Sequence, residues 1–295
     1  MNFDNLFSSE EKCYEYLWEL RYPDGFRCQK CGGNKYWLTQ KKLAMCNSCK
    51  YQGSVTAGTI FQDTRKPLQS WFRAIWWLVA QKNGVSALGL QRILGFGSYQ
   101  TAWAWLHRFR RLLVVPGREK LSGRVEVDET YVGGYQPGTR GRGAGGKSLV
   151  IIGVEECGSR LGRIRMQRIG NASRKCIEGF LKDNIETGTT VISDHWRAYN
   201  HITEIGFTQE FGEVVQDEKG EGVLPKVHLI ASLLKRWLLG THQNFVSSKN
   251  LDFYLDEFTF RHNRRNAKTR GLLFQTVLKQ AVSHFPVTYS SMVNC

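Results

Sequence analysis

Four cysteines in two tight pairs, Cys28-Gln29-Lys30-Cys31 and Cys46-Asn47-Ser48-Cys49, constrain this chain more than any other feature. Fourteen residues separate the pairs, the span of a short hairpin with a knuckle at each end. Two C-x-x-C turns brought together by a hairpin supply four thiolates at tetrahedral corners, which is what a structural Zn²⁺ requires. The competing uses of such thiols are two disulfides or a C-x-x-C redox pair. Cys13, Cys157, Cys176 and Cys295 follow no spacing rule, and such a mixture suits a reducing compartment. The expected module is a zinc ribbon whose structural zinc is held by Cys28, Cys31, Cys46 and Cys49.

Charge narrows the partner. The 295 residues carry a formal net charge of +15, which points to a polyanion. Residues 1–120 hold 18 Lys and Arg against 8 Asp and Glu, whereas residues 121–295 hold 23 against 18, so the first part is the stronger phosphate-gripping segment. The aromatics fall in core-like segments and no basic amphipathic helix stands alone, which favours nucleic acid over a membrane surface. No run of 18 apolar residues occurs, and the polar start (Asn2, Asp4, Ser8, Ser9, Glu10, Glu11) does not read as a signal peptide. The expectation is a cytoplasmic protein without membrane association.

Local patterns place the remaining elements. Ser9 is a candidate N-cap for a helix over 10–20, and Pro23-Asp24-Gly25 ends it before the ribbon. A strongly apolar helix is expected over 67–81. Ser86 opens a helix over 87–94, Gly95-Phe96-Gly97-Ser98 forms a turn, and 99–113 forms another helix with Trp103, Leu106, Phe109 and Leu113 at helical spacing. Helix, glycine turn, helix outlines either a helix-turn-helix or a plain helical hairpin. Arg108, Arg110 and Arg111 near the end of the second helix are candidate DNA contacts. Beyond Pro116-Gly117 the chain becomes β-rich, with strands expected over 124–132, 149–154, 163–169 and 189–193. A helix over 174–185 opens at Ser173, and helices follow over 227–239, 248–261 and 271–282. The glycine-rich stretch 136–147 lacks the strand–helix context of a phosphate-binding P-loop. The fold class is therefore α/β, with a mixed sheet.

Two aspartates stand out in the β-rich half. Asp128 lies in an alternating strand and Asp194 ends another made of Val191 and Ile192. An aspartate in an apolar strand is costly unless paired or bound to metal. On neighbouring strands the two would suit divalent cations and phosphodiester chemistry, since Mg²⁺ takes one or two carboxylates plus phosphate oxygens. Taken singly, each is better explained by a structural role, since Asp at a strand end is commonplace and Glu126 and Glu129 crowd the first.

Three blocks extend the reading: Val125-Glu126-Val127-Asp128-Glu129-Thr130-Tyr131-Val132-Gly133-Gly134, Ile192-Ser193-Asp194-His195-Trp196-Arg197-Ala198-Tyr199, and Ser232-Leu233-Leu234-Lys235-Arg236. They resemble the catalytic blocks of bacterial DDE transposases. Tyr254-Leu255-Asp256-Glu257-Phe258-Thr259-Phe260-Arg261-His262-Asn263-Arg264-Arg265 is similar to the C-terminal block of the insertion-sequence family that joins a zinc ribbon to an integrase-like domain. This resemblance implies an RNase H-like catalytic domain that holds two Mg²⁺ or Mn²⁺ ions on Asp128, Asp194 and a third residue. Counting seven back from Lys235 places the third ligand at His228, where many relatives carry Glu or Asn; Glu218 and Glu221 are the rivals. A neutral imidazole brings no charge, which leans the site toward Mn²⁺.

Lys235, on the helical face of His228 at i+7, is the expected phosphate contact beside the metals, with Arg236 a further backbone contact. Arg264 and Arg265 lie in a basic run that either holds DNA or is a solvated helix end. The implied organisation is a zinc ribbon with a short N-terminal helix over 1–55, a helix-turn-helix-like DNA-binding region over 56–118 and the catalytic domain over 119–295. The implied activity is cleavage at terminal inverted repeats of double-stranded DNA and strand transfer into target DNA, by a homodimer or higher oligomer. The alternative is a DNA-binding protein whose nuclease-like domain is inert.

Overall fold

The computed structural model describes residues 3–114, 117–133, 147–214, 222–243 and 246–293. The chain divides into two compact units, one built from 1–115 with 267–295, the other from 116–266.

The first unit opens with α1 (Phe3–Leu6) and α2 (Glu10–Arg21). Ser9 caps α2 as expected, its Oγ accepting the Lys12 N–H at 3.3 Å. The ribbon is an antiparallel sheet of β1 (Tyr36–Leu38), β2 (Ala44–Cys46) and β3 (Gln52–Gly53) in that spatial order. Then come α3 (Leu68–Ala80), α4 (Ala87–Leu94) and α5 (Tyr99–Arg111). Ser86 Oγ takes the Gly89 N–H at 3.1 Å to start α4. Gly95, at φ +62°, ends it in the left-handed region that a side chain would strain. Trp71 stacks on Trp105 with 3.6 Å between ring centroids and meets Phe61 and Phe109 edge-on.

Residues 267–295 return to this first unit. In α9 (Arg270–Ser283), fully buried Phe274 meets Phe3, Phe7, Phe72 and Trp76 at 5.3–5.9 Å. The boundary expected at 119–295 is corrected here. Apolar surface on α9 is buried by α2 and α3, and edge-to-face ring pairs at these distances add to area burial. The short α10 (Tyr289–Val293) follows.

The second unit is a five-stranded mixed sheet. Its strands are β4 (Arg124–Val132), β5 (Ser148–Cys157), β6 (Arg160–Ile169), β7 (Thr190–Ser193) and β8 (Thr208–Phe211). The spatial order is β6-β5-β4-β7-β8; β5 is antiparallel to both neighbours, whereas β7 is parallel to β4 and β8. The sequence reading lacks β8. On one face, Ile177, Phe180 and Leu181 of α6 (Arg174–Asn184) pack on Val125, Val127, Ile151 and Val191. On the other, α7 (Pro225–His242) and α8 (Leu251–Asn263) cover Val150, Ile152, Val154 and Ile192. Ser173 occupies the N-cap of α6 but its side chain makes no capping hydrogen bond. Alternation along β4 therefore turns Val125 and Val127 toward α6, and Glu126 and Asp128 toward α7.

Within α8, His262 bonds the Gly162 carbonyl at 3.3 Å. Burial, helped by neighbouring Arg265, lowers its pKa to about 4. The imidazole is neutral in the folded chain but protonates below about 6.5 when unfolded, so its stabilising effect is full above that pH and is lost as pH falls toward 4. Burial raises Asp256 to about 6, which acts in the opposite sense over the same window. Between pH 7 and 4.5, His262→Gln should therefore shed less stability than wild type by on the order of 2 kcal/mol. Urea midpoints at the two pH values, compared between the two proteins, isolate the His262 contribution because Asp256 is common to both.

Candidate functional site

The ribbon thiols converge. Cys28 and Cys49 sulfurs lie 3.6 Å apart, as do those of Cys31 and Cys46, and all four are within 4.8 Å of one another. A tetrahedral Zn²⁺ with Zn–S bonds of about 2.3 Å demands S···S edges of roughly 3.8 Å, so the geometry fits the ion. The knuckles are built by short backbone turns: Gly32 N–H donates to the Cys28 carbonyl at 2.8 Å and Lys50 N–H to the Cys46 carbonyl at 3.0 Å. The backbone N–H groups of Cys49 and Ser48 point at the Cys46 sulfur and pull its thiol down to about 6, against the effect of burial. The Cys31 thiol moves the opposite way, up to about 12, because hydrogen bonds shared with Cys49 and Cys46 hold its proton, so within the metal-free cluster one thiolate is favoured at the expense of another.

The second site stands at one end of the five-stranded sheet. Glu126 pairs with Ile192 across the parallel β4–β7 junction. β7 ends at Ser193, so Asp194 directly follows it, while Asp128 lies two residues beyond Glu126 on β4. Asp128 Oδ1 accepts the Glu129 N–H at 2.8 Å, and its Oδ2 lies 3.2 Å from His228 Nε2 on α7. Asp194 Oδ1 accepts the Trp196 N–H at 3.0 Å. The hydrogen bond to Asp128 raises the His228 pKa, partial desolvation opposes it, and the charges of Asp128, Glu126 and Asp194 add to the rise. Lys235 is exposed on the same stripe of α7 as His228 and Ser232. Partial burial and nearby Lys147 lower its pKa, while Asp128 opposes that shift. The structure thus brings Asp128, Asp194, His228 and Lys235 to one end of the sheet. Glu218 and Glu221 lie outside the described residues.

Among the described residues the only set of three or more ligand-type side chains within 4.8 Å of one another is the four-cysteine cluster. Asp128, Asp194 and His228 are spread more widely than a single ion's shell. Two carboxylates and one imidazole are nonetheless donors of the kind that Mg²⁺ or Mn²⁺ takes.

The arginines divide differently from the expectation. Arg110 is 1% exposed, sealed in the packing of α5, and is removed from the candidate DNA contacts. Arg108 Nε donates to the Val287 carbonyl at 3.0 Å and Arg111 Nη2 to the Ser291 carbonyl at 3.3 Å, so both tie down the returning C-terminal segment. Arg264 lies over the Phe260 ring at 4.4 Å and is partly buried. Arg265 holds the carbonyls of His262, Gly162 and Leu161. Arg236 is exposed on α7 beside Lys235, and among the described residues neither forms an ion pair. Arg110→Ala should accordingly lower the melting temperature of the first unit by several degrees, as truncating a buried side chain does, and leave the salt slope of DNA binding unchanged.

Sequence reasoning passed over two features of the sheet unit. Glu126 is 3% exposed and engaged with α7; the signal available was an acid two residues before Asp128, hence on the same strand face. Tyr199, fully buried, donates from its hydroxyl to Glu129 at 2.6 Å. No helix among the described residues is long and apolar enough to cross a membrane.

Comparison with known proteins agrees with this layout. Residues 8–52 match the family model described as a transposase zinc-ribbon domain, and residues 120–263 match the ISXO2-like transposase domain. A protein described as an uncharacterized protein in transposable element ISH50, from Halobacterium salinarum, is 29% identical over 281 residues, covering 86% of this chain and 91% of its own length. Solved structures with looser likeness include the catalytic core domain of BIV integrase (TM-score 0.33, 15% identity, 50% of this chain and 86% of that one). Another is the Mos1 strand transfer complex (TM-score 0.30, 14% identity, 75% of this chain and 79% of that one). With both domain models matched in order along one chain, and the cysteine cluster and mixed sheet falling inside them, this protein belongs to the insertion-sequence transposases that carry a zinc ribbon ahead of an ISXO2-like transposase domain.

Proposed function

We propose that the sheet unit cuts DNA at the ends of its element and joins the freed 3′ ends to target DNA, with Asp128, Asp194 and His228 holding two divalent cations. The observation that carries this reading is the 3.2 Å contact of His228 with Asp128 on β4, with Asp194 directly following the end of β7, the strand that runs parallel beside β4. When bound, the cations supply positive charge to the phosphodiester and make water a stronger acid. The protein's own part is positional. Asp128 keeps one carboxylate oxygen on its backbone neighbour and faces His228 with the other. His228 presents Nε2 from the first turns of α7, and Lys235, two turns further on, neutralises a non-bridging phosphate oxygen. In the first step water attacks phosphorus and the bond to O3′ breaks, leaving a 3′-hydroxyl and a 5′-phosphate. In the second that hydroxyl attacks a target phosphodiester in line, and the target's own O3′ leaves.

The basic first unit, with its ribbon, is read as the part that recognises the element's end. A labelled duplex carrying that end, incubated with Mg²⁺ or Mn²⁺ and a supercoiled target, should yield nicked ends and joined products. Binding that persists in EDTA with no nicking under either metal would favour an inert nuclease-like domain instead. In the same assay Arg236→Ala should reduce the slope of log affinity against log salt by about 0.9, one phosphate's contribution.

A further inference from the structure

We infer that Glu126 is a positioning residue for the proposed metal site: it locks the start of α7 to β4 and so holds His228 opposite Asp128. The inference rests on the reading of Asp128, Asp194 and His228 given above. The first turn of a helix presents backbone N–H groups without intrahelical partners. In α7 the N-cap is Leu224, which has no side-chain acceptor, and Pro225 occupies the first position. Glu126, one hundred residues away in sequence, supplies the missing acceptor: its Oε2 takes the N–H of Lys226 and that of Val227, each at 2.8 Å. Glu126 is 3% exposed, on the central strand of the sheet. A buried charge there would be strongly unfavourable without these donors, the helix dipole and a cation.

The cation is Lys226, whose Nζ lies 3.5 Å from Glu126 and 2.5 Å from Glu156. Glu156 in turn bonds Arg124 at 2.9 Å, and Arg124 bonds Glu210 at 2.8 Å. Glu126 is thus the inner end of a chain of charges that crosses the sheet from β8 to α7. Two residues along the same face of β4 from Glu126 stands Asp128, and one residue along α7 from Val227 stands His228. The strand and the helix are therefore joined at two successive points, the first made by Glu126 and the second by the Asp128–His228 contact. With Oε2 committed to two backbone donors and Oε1 facing Lys226, Glu126 acts through α7 and is not itself placed as a metal ligand.

The test uses the full chain without DNA and titrates Mn²⁺ alone by calorimetry, alongside hydrogen exchange at the amides of 226–228. Partners in the outer shell of metal sites typically change affinity by 10–100-fold when removed. Glu126→Ala should weaken Mn²⁺ binding at the sheet site about tenfold or more, speed exchange at those amides, and add little to the loss already caused by His228→Ala. Glu126→Gln keeps a carbonyl acceptor for the two N–H groups and should restore both readouts in large part; it also serves if the alanine variant does not fold. Wild-type Mn²⁺ affinity retained in Glu126→Ala, or a loss fully additive with that of His228→Ala, would overturn the inference while leaving the metal-site reading intact. Absence of Mn²⁺ binding at the sheet site in the wild type, or binding unaffected by His228→Ala, would instead sink the underlying reading.

Discussion

Replacing Asp128 by asparagine is expected to abolish end cleavage, by at least ~1000-fold, while leaving the chain folded and still bound to DNA. A thousandfold loss corresponds to roughly 4 kcal/mol of transition-state stabilisation. That is a modest demand on a carboxylate that shares the sheet end with Asp194 and His228. Asparagine matches aspartate in shape and retains an acceptor for the Glu129 N–H, so the local backbone has no reason to move. What it loses is the negative charge beside His228 and Asp194. Removing one of several carboxylates from a crowded strand end also relieves repulsion, so the melting temperature should hold or rise. The measurement pairs cleavage of a labelled element end with calorimetric melting of the same preparation. Cleavage at the wild-type rate, or a melting temperature lowered by several degrees, counts against the role given to Asp128.

Stripping zinc, by a strong chelator or by Cys46→Ser, is expected to unfold the ribbon and leave the five-stranded sheet standing. The ribbon's three strands are only three, three and two residues long. Its buried core amounts to Phe26, Cys28, Ala44 and Cys46, with Trp18, Tyr22, Cys49 and Tyr51 partly buried against them. Burying so few side chains contributes only a few kcal/mol, whereas structural zinc contributes roughly 10–16 kcal/mol in small zinc-finger peptides. The sulfur positions, with paired atoms at 3.6 Å, match the edges of a tetrahedral site. Metal analysis should find one zinc per wild-type chain and less in Cys46→Ser. Amide resonances of 26–53 should collapse on zinc removal while those of β4 to β7 persist. Persistence of the ribbon resonances in a zinc-free protein would assign its stability to something other than the metal.

What the sequence made legible was local. The cysteine spacing, the serines at positions 9 and 86, the glycine at 95 and the alternation of β4 each act within a few residues, and each recurs in the structure at the expected place. Asp128 and Asp194 were visible because an acid in an apolar strand is conspicuous, and the resemblance to a transposase family supplied His228. What stayed hidden depends on residues far apart in the chain. Thr208–Phe211 has too few residues to show a pattern and is a strand because β7 pairs with it. Arg110 reads as a surface cation at a helix end, yet the tertiary packing of the first unit buries it. Ser173 sits at the N-cap its sequence suggests without making the bond. Glu126 is silent in sequence because the amides it serves come a hundred residues later. A comparable bond starts α3, where Pro67 precedes the helix and Glu10 accepts the N–H of Leu68 and Gln69 at 2.7 and 2.9 Å.

The return of 267–295 to the first unit sets an order of assembly during synthesis. The sheet unit is one continuous stretch and can close as soon as Asn266 has left the ribosome. The ribbon-bearing unit, begun first, must wait: until α9 emerges, the pocket that receives Phe274 among Phe3, Phe7, Phe72 and Trp76 stays open to solvent and to chaperones. A copy of the gene shortened before Arg270 would therefore yield a finished sheet attached to an unfinished ribbon-bearing unit, and its failing would be one of stability and DNA recognition before it was one of chemistry.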